Sequence, residues 1–201
     1  MSNSNSQESV WYVGYGTNLS EQRFLCYIRG GMPIFGMKRN NGCRNRDYPL
    51  DSRACKIPYP LYFALPDGIR GTGNWGVGGV GFVSPNKRED EKDWTLGRMW
   101  KITREQYEDI RQQEGSKWYD KEILLGIINE GSNIPIYTIT SGDVLTNITA
   151  PSVLYLNTII SGLRESHNLR NEEILDYLIS MDGIRGNFER DELMGIIIRE
   201  R

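Results

Sequence analysis

The sequence is poor in the residues that metal-dependent and thiol-dependent sites require. Its 201 residues contain one histidine, His167, and three widely spaced cysteines at positions 26, 43 and 55. A His-rich metal centre is therefore excluded, and the odd number of cysteines without a Cys-x-x-Cys pair argues against zinc sites and a disulfide framework. With no second histidine and no serine or cysteine nucleophile motif, the chain also offers no recognisable catalytic triad. We expect no metal and no cofactor.

Long apolar runs and blocks of one charge are missing as well. Lys and Arg number 24 against 26 Asp and Glu, which gives a net charge of −2 and no basic footprint for nucleic acid. No run approaches the roughly 18 apolar residues of a membrane-spanning helix. The polar residues 1–9 have neither the basic nor the apolar region of a signal peptide. The sequence therefore predicts a cytoplasmic protein without membrane contact, with residues 1–9 as a disordered tail.

The remaining composition, 38% hydrophobic and 25% charged, suits a single domain over residues 10–201. The predicted strands cover residues 10–13, 33–37, 60–65, 77–83, 96–102, 121–128 and 134–140. The predicted helices cover residues 20–28, 104–114, 151–165 and 171–181, whereas residues 192–201 fit a strand or a helix. Short strands followed by a mixed second half predict an α+β fold, a small mixed β-barrel flanked by helices.

One glycine-rich stretch formally matches the dinucleotide-binding fingerprint, through Gly71, Gly73 and Gly76. That fingerprint needs a helix directly after it, and the residues that follow here are strand-like. We therefore interpret these glycines as close backbone packing at a bend or bulge of a sheet. His167, at a predicted helix end, is interpreted as a surface or capping residue and not as a catalytic base.

The first candidate site lies in residues 10–24, VWYVGYGTNLSEQRF, where an aromatic strand meets a helix through two glycines. Backbone N–H groups in such a turn can form a nest for a carboxylate or phosphate, with Asn18 as the helix N-cap and Glu21 three residues on. Many strand–turn–helix joints contain glycine and bind nothing. Taken alone, the stretch leaves both a connector and an anion site open.

The second candidate is Glu114. Thr103 and Gln106 form a capping-box pattern, so a helix is predicted from residue 104, and its inward stripe runs through Tyr107 and Ile110 to Glu114. Burial and the negative end of the helix dipole would both favour the protonated acid, which suits a general acid/base. The alternative is that the helix end frays and Glu114 extends into water.

Together these stretches resemble the γ-glutamylcyclotransferase-like family. Residues 15–19, Tyr-Gly-Thr-Asn-Leu, are similar to the family's Tyr-Gly-Ser-Asn-Leu, and Glu114 followed by Gly115 and Tyr119 is similar to its second hallmark. A helix opened by Pro-Ser at residues 151–152 is a third similarity. Three features depart from the family pattern. Threonine replaces serine at position 17, and residues 146–148, shortly before the Pro-Ser helix, lack the tyrosine with which some relatives cover the substrate. Residues 42–73 have no counterpart in the family pattern.

The resemblance implies a cyclotransferase that acts on a γ-glutamyl amine or peptide. The substrate's α-amine attacks its own γ-carbonyl, and 5-oxoproline and a free amine leave, with Glu114 as general acid/base and Tyr119 lining the pocket. The substrate-binding residues implied are Tyr12, Val13, Gly14, Tyr15, Gly16, Thr17, Asn18 and Tyr119. A non-catalytic carboxylate-binding module and acyl transfer or hydrolysis on a larger γ-glutamyl intermediate stay as alternatives, and a homodimer is left open.

Overall fold

The computed structural model describes residues 8–66, 68–69, 74–115 and 117–200, in which the chain forms an α+β fold. The strands are β1 (Ser9–Gly14), β2 (Asp51–Ile57), β3 (Leu61–Ala64), β4 (Val80–Val83), β5 (Thr95–Thr103), β6 (Lys121–Asn129) and β7 (Asn133–Thr140). The helices are α1 (Glu21–Arg29), α2 (Arg104–Glu114), α3 (Val153–His167), α4 (Asn171–Ile179) and α5 (Arg190–Arg199). The fold class predicted from the sequence is confirmed.

The main sheet is mixed and has the strand order β2-β5-β1-β7-β6. Its central strand β1 runs antiparallel to β5 and parallel to β7. The pair β3-β4 forms a separate antiparallel sheet, which meets the main one where the Thr140 hydroxyl donates to the Val83 carbonyl at 2.6 Å. Because the hydrogen-bonded strand order gives two sheets, closure into one barrel stays a prediction.

Strand β1 is buried on both faces, which explains its unbroken aromatic and β-branched run. Trp11 and Val13 belong to the larger core cluster, whereas the alternate residues Val10 and Tyr12 belong to a second cluster with α1 and α2. Successive side chains of a strand point to opposite faces, so this alternation fixes the phenol of Tyr12 on the side of α2.

Several elements differ from the sequence predictions, and β2 lies in a segment for which no strand was predicted. Residues 33–37 form no strand; the Gly36 N–H donates to the Pro33 carbonyl in a turn instead, because Pro33 has no N–H to offer a strand ladder and Gly36 favours a turn. Helix α3 begins two residues after Pro151, and the Ser152 hydroxyl caps it by accepting from the Tyr155 N–H. The ambiguous C-terminal stretch is helix α5. Of the predicted tail, residues 1–7 lie outside the described residues, and Ser9 already pairs within β1.

The glycine-rich stretch leads into strand β4 and not into a helix. Gly71 and Gly73 lie outside the described residues, but the backbone at Gly79 shows why glycine is needed there. A Cβ atom at Gly79 would lie 2.2 Å from the Thr149 carbonyl oxygen. Close backbone packing is thus confirmed at Gly79 but is wrong at Gly76, where a Cβ would meet nothing within 4 Å and the φ of +78° is what favours glycine. His167 also has a structural role, because its Nε2 lies 3.0 Å from the Gly97 carbonyl oxygen.

Candidate active site

The loop after β1 forms a 3-10 turn, Gly16–Leu19, whose residues are all buried. The prediction that Asn18 caps α1 is wrong, since Ser20 occupies the N-cap position. The Asn18 side chain turns inward instead, and its Nδ2 donates to the Tyr12 hydroxyl at 3.1 Å and to Glu114 Oε1 at 2.8 Å. The Trp100 indole N–H also holds the backbone of this residue, by donating to the Asn18 carbonyl at 3.1 Å.

Helix α2 presents Glu114 to this loop. Its start has the predicted capping box, in which Thr103 accepts from the Gln106 N–H and Gln106 accepts from the Thr103 N–H. Tyr107 and Ile110 are fully buried on the predicted inward stripe, and Glu114 lies half-buried one turn further on. The two stretches that the sequence singled out, 96 residues apart, therefore meet at the Asn18–Glu114 hydrogen bond.

Two cavities that share lining residues adjoin this contact. A cavity of about 900 Å³, here called the outer cleft, is lined by residues of α1, α2, α3, the 38–44 segment and residues 74–80. A second of about 30 Å³, here called the inner chamber, is lined by Tyr12, Tyr15, Thr17, Asn18, Gly81, Glu114, Tyr119, Ile139 and Tyr155. The residues that line both are Thr17, Glu114, Tyr119 and Tyr155. Glu114 thus stands at the junction of the two spaces.

The phenols of the inner chamber are held by backbone groups. Gly81 of β4 binds two of them, because its N–H donates to the Tyr155 hydroxyl at 2.9 Å and its carbonyl accepts from Tyr119 at 3.0 Å. Tyr15 donates to the Ile139 carbonyl at 2.7 Å. These bonds fix the ring positions around Glu114 without using its carboxylate.

The phenols are protonated at neutral pH, and burial raises their pKa further. It raises the pKa of Tyr155 to about 12, even though the Gly81 N–H bond opposes the shift. Burial also raises the pKa of Tyr12 and of Tyr119 well above the ordinary value, and the nearby negative charge of Glu114 adds to both shifts. Glu114 is thus the one carboxylate among the described residues that line the inner chamber.

Six of the nine predicted site residues line the cavities. They are Tyr12, Tyr15, Thr17, Asn18, Glu114 and Tyr119. The Val13 side chain is buried in the larger core cluster, and the Val13 carbonyl accepts from the Thr138 hydroxyl at 2.8 Å. Gly14 allows the turn to close, because a Cβ there would lie 2.7 Å from Asn18 Cβ. Gly16 has a φ of +62°, the left-handed region that favours glycine. Val13, Gly14 and Gly16 therefore shape the loop and do not line the cavities.

Sequence reasoning missed the contribution of α1. Arg23 and Tyr27, one turn apart on this helix, both line the outer cleft, and the Arg23 guanidinium lies 3.9 Å from the centre of the Tyr27 ring. Burial raises the pKa of Tyr27 well above the ordinary value, with Arg23 opposing and Glu114 adding to the shift. The available signal was a charged residue directly before Phe24 and one turn before Tyr27 of the apolar face.

Two buried side-chain oxygens beside Glu114 have no hydrogen-bond partner among the described residues. They are Asn18 Oδ1 and Gln113 Oε1. Each belongs to an amide whose nitrogen is already bonded, to Glu114 and Tyr12 for Asn18 and to the Tyr27 carbonyl for Gln113. Buried acceptors without a donor are costly in a folded protein. Both residues line the cavities, so a ligand that carries N–H groups would satisfy them.

The described part of the chain offers no arrangement of three or more His, Cys, Asp or Glu side chains that could hold a metal ion. In the same residues, no helix combines the length and the apolar character needed to cross a bilayer.

Comparison with solved structures identifies the fold. A γ-glutamyl cyclotransferase superimposes with a TM-score of 0.60 at 18% sequence identity, covering 96% of this chain and 99% of that one. An uncharacterised protein from Homo sapiens superimposes with a TM-score of 0.58 at 19% identity, over 95% of this chain and 99% of that one. The chain therefore has the γ-glutamylcyclotransferase-like fold, and the resemblance predicted from the sequence is confirmed at the level of the fold.

The sequence comparisons are more limited. No family model matches the chain. Among curated proteins, histone deacetylase 5 of Arabidopsis thaliana is 31% identical over 207 aligned residues, which cover 84% of this chain and 30% of that protein. The chain thus matches less than a third of the length of this curated relative, and the activity in its name belongs to the larger protein.

Proposed function

We propose that the protein is a γ-glutamyl cyclotransferase, which converts a γ-glutamyl amine or peptide into 5-oxoproline and the free amine with Glu114 as general acid/base. The observation that carries the proposal is the 2.8 Å hydrogen bond from Asn18 to Glu114, at the junction of the inner chamber and the outer cleft. It brings the two family-like stretches to one point of one cavity. The likeness to a solved γ-glutamyl cyclotransferase supports the same reading.

The reaction needs no enzyme nucleophile, because the substrate carries its own. Glu114 takes a proton from the α-ammonium group, and the resulting amine attacks the γ-carbonyl carbon to form the lactam C–N bond. Glu114 then gives the proton to the leaving nitrogen as the old C–N bond breaks. The attacking nitrogen also loses a second proton, which passes to the leaving amine. The amine therefore departs as an ammonium ion, and no water is consumed. Such an intramolecular step depends chiefly on how the substrate is oriented.

The cavity walls provide that orientation in this proposal. Asn18 Oδ1 and Gln113 Oε1, the two unpaired acceptors, receive N–H groups of the substrate. The Tyr155 hydroxyl, which accepts from the Gly81 N–H, donates its own proton, together with N–H groups of the loop at residues 14–18, to the oxygen that becomes negative. Tyr119 closes the wall of the inner chamber, where its ring stacks on Phe82 at a centroid distance of 4.8 Å.

The direct test is to incubate the purified protein with a panel of γ-glutamyl dipeptides and γ-glutamyl amines and to quantify 5-oxoproline by mass spectrometry. We expect stoichiometric 5-oxoproline and amine from at least one compound. Glutamate without 5-oxoproline would contradict cyclisation and identify a hydrolase. An acetylated lysine peptide serves as a control substrate, chosen because of the name of the curated relative.

A non-catalytic binding module on the same fold is the alternative. It would raise the unfolding temperature when a γ-glutamyl compound binds, yet release no product. Turnover that disappears in a Glu114→Gln variant, with ligand-induced stabilisation retained, distinguishes the enzyme from the module.

A further inference from the structure

The loop that carries Asn18 rests against two side chains of β5, Arg98 and Trp100. In the antiparallel register of β1 and β5, Arg98 lies across from Gly14, where the loop begins. The Arg98 guanidinium also donates to the Leu19 carbonyl at 3.3 Å, where the 3-10 turn ends. Both ends of the loop therefore lie next to one buried residue, which is 8% exposed.

Trp100 holds the preceding carbonyl of the loop. Its indole N–H donates to the Asn18 carbonyl, and its ring stacks on Phe24 of α1 at a centroid distance of 4.4 Å. The Arg98 guanidinium lies over the same indole, 3.9 Å from the ring centre, an arrangement that attracts a cation to an aromatic face. Two consecutive loop carbonyls are thus held by two side chains that support each other.

Arg98 is itself held on several sides. Its guanidinium contacts Glu21 at 2.8 Å and Glu165 of α3 at 3.3 Å, and it donates to the Ser52 hydroxyl at 3.1 Å. Glu165 also accepts from the Glu21 backbone N–H at 2.8 Å, which ties α3 to the start of α1 directly after the loop. Because the planar guanidinium is fixed by these partners, Arg98 offers the loop a rigid donor.

A second arginine, Arg164, has the same kind of partners at another place. It binds the carboxylate of Glu200 and donates to the Ile197 carbonyl at 2.7 Å, at the C-terminal end of α5. These three residues line neither the inner chamber nor the outer cleft. The carbonyl that Arg98 holds, in contrast, belongs to the loop of the candidate site.

We infer that Arg98 and Trp100, here called the loop clamp, are positioning residues that hold the backbone of residues 18–19 so that the Asn18 amide meets Glu114. This inference rests on the proposed function. The clamp residues do not line either cavity, so they act on the reaction through Asn18, whose amide reaches Glu114 at 2.8 Å. A displacement of about 1 Å in such a contact is enough to cost about 100-fold in rate.

The experiment is a double-mutant cycle on the full chain. Arg98→Lys keeps the charge that faces Glu21 and Glu165 but loses the planar fork that also reaches the Leu19 carbonyl. We expect kcat for 5-oxoproline release to fall about tenfold, with KM changed less than about threefold. Combined with Asn18→Leu, the same change should lower kcat less than about twofold further, because the amide that the clamp positions is gone.

The matched control is Arg164→Lys, which loses the same fork at α5. It should lower the thermal unfolding midpoint but leave kcat unchanged. A readout without turnover is amide hydrogen exchange of a peptide that covers residues 14–20. Exchange there should be about tenfold faster in Arg98→Lys, the effect of losing about one net hydrogen bond, and unchanged in Arg164→Lys.

If Arg98→Lys does not fold, Trp100→Phe keeps a ring against Phe24 and removes the indole donor, and the same non-additive pattern with Asn18→Leu is expected. Additive losses of kcat in the cycle, an unchanged kcat in the single clamp variant, or unchanged exchange of residues 14–20 would each overturn the inference. Wild-type protein that releases no 5-oxoproline contradicts the proposed function alone, and the exchange of the loop then decides by itself whether the clamp holds it.

Discussion

The inner chamber and the outer cleft share the wall that contains Glu114, but they arrange charge in opposite ways. In the inner chamber one carboxylate is surrounded by phenols that burial keeps neutral and by the Asn18 amide. The outer cleft is bordered by four cations and has wide access to solvent. The contrast separates two tasks. Proton transfer benefits from a single ionisable group in neutral surroundings, whereas recognition of a variable leaving group uses charges at the mouth.

The largest expected effect comes from the inner chamber. Glu114→Gln keeps the shape of the side chain but removes proton transfer, and we expect kcat to fall by about 10³-fold, within the usual range for general acid/base catalysis. The measurement is the steady-state rate of 5-oxoproline release, together with the thermal unfolding midpoint. Glu108→Gln is the matched control, because Glu108 lies on the exposed side of the same helix, bonded to Arg104 at 3.3 Å. Comparable loss in both variants would contradict the assignment of Glu114.

The second effect concerns the amide that joins loop and helix. Asn18→Leu retains the approximate volume but removes the donor to Glu114 and to Tyr12. We expect kcat/KM to fall by about 10²-fold, equivalent to about 2.7 kcal/mol of transition-state stabilisation. Loss of hydrogen bonds to buried groups should also lower the free energy of unfolding by about 1–3 kcal/mol. Urea titration and kinetics on the same preparation separate the two losses, and a variant that loses stability with full activity would contradict the role of Asn18.

The third effect separates a site hydroxyl from a structural one. Tyr155 and Tyr177 are alike, since each hydroxyl accepts a backbone N–H bond, from Gly81 at 2.9 Å and from Leu96 at 3.0 Å. Both Phe variants should lose about 1 kcal/mol of stability. Only Tyr155 lines the two cavities of the site, so Tyr155→Phe should also lower kcat/KM about tenfold. An equal change of kcat/KM in both variants would remove Tyr155 from the mechanism.

The inner chamber was largely predictable because its signals are local. The capping pattern of Thr103 and Gln106 fixed the start of α2, and the helical repeat then placed Glu114 on the stripe of Tyr107 and Ile110. The loop at residues 14–18 was recognised from its glycines and its resemblance to the family. The inward turn of Asn18 was not predicted, since an N-cap and a bond to a helix 96 residues away look identical in the sequence.

The outer cleft was not predictable in the same way. Its walls come from separate segments, and Arg23 of α1 meets Asn40 and Trp75 only after the chain has folded. The segment 42–73, without a counterpart in the family pattern, contributes Gly42 and Arg44 to the wall. Nothing in the local sequence around Arg44 indicates Asp109 as its partner, because that contact depends on tertiary packing alone.

The smallest expected effect comes from the exposed cations at the cleft mouth. Lys38 and Arg39 line the cleft, are exposed and lack an ion-pair partner within the described chain, so they act on a charged substrate through long-range attraction. Replacing both by Gln should lower kcat/KM for γ-glutamylalanine about threefold at low salt, and raising the salt toward 1 M should abolish the difference because the screening length then falls to about 3 Å.

The double change Lys92→Gln and Arg185→Gln is the control. It removes the same charge beside a different cavity, where both cations are paired with carboxylates, and it should have no effect on the rate. A salt-independent loss in the first variant would mean that Lys38 or Arg39 contacts the substrate directly.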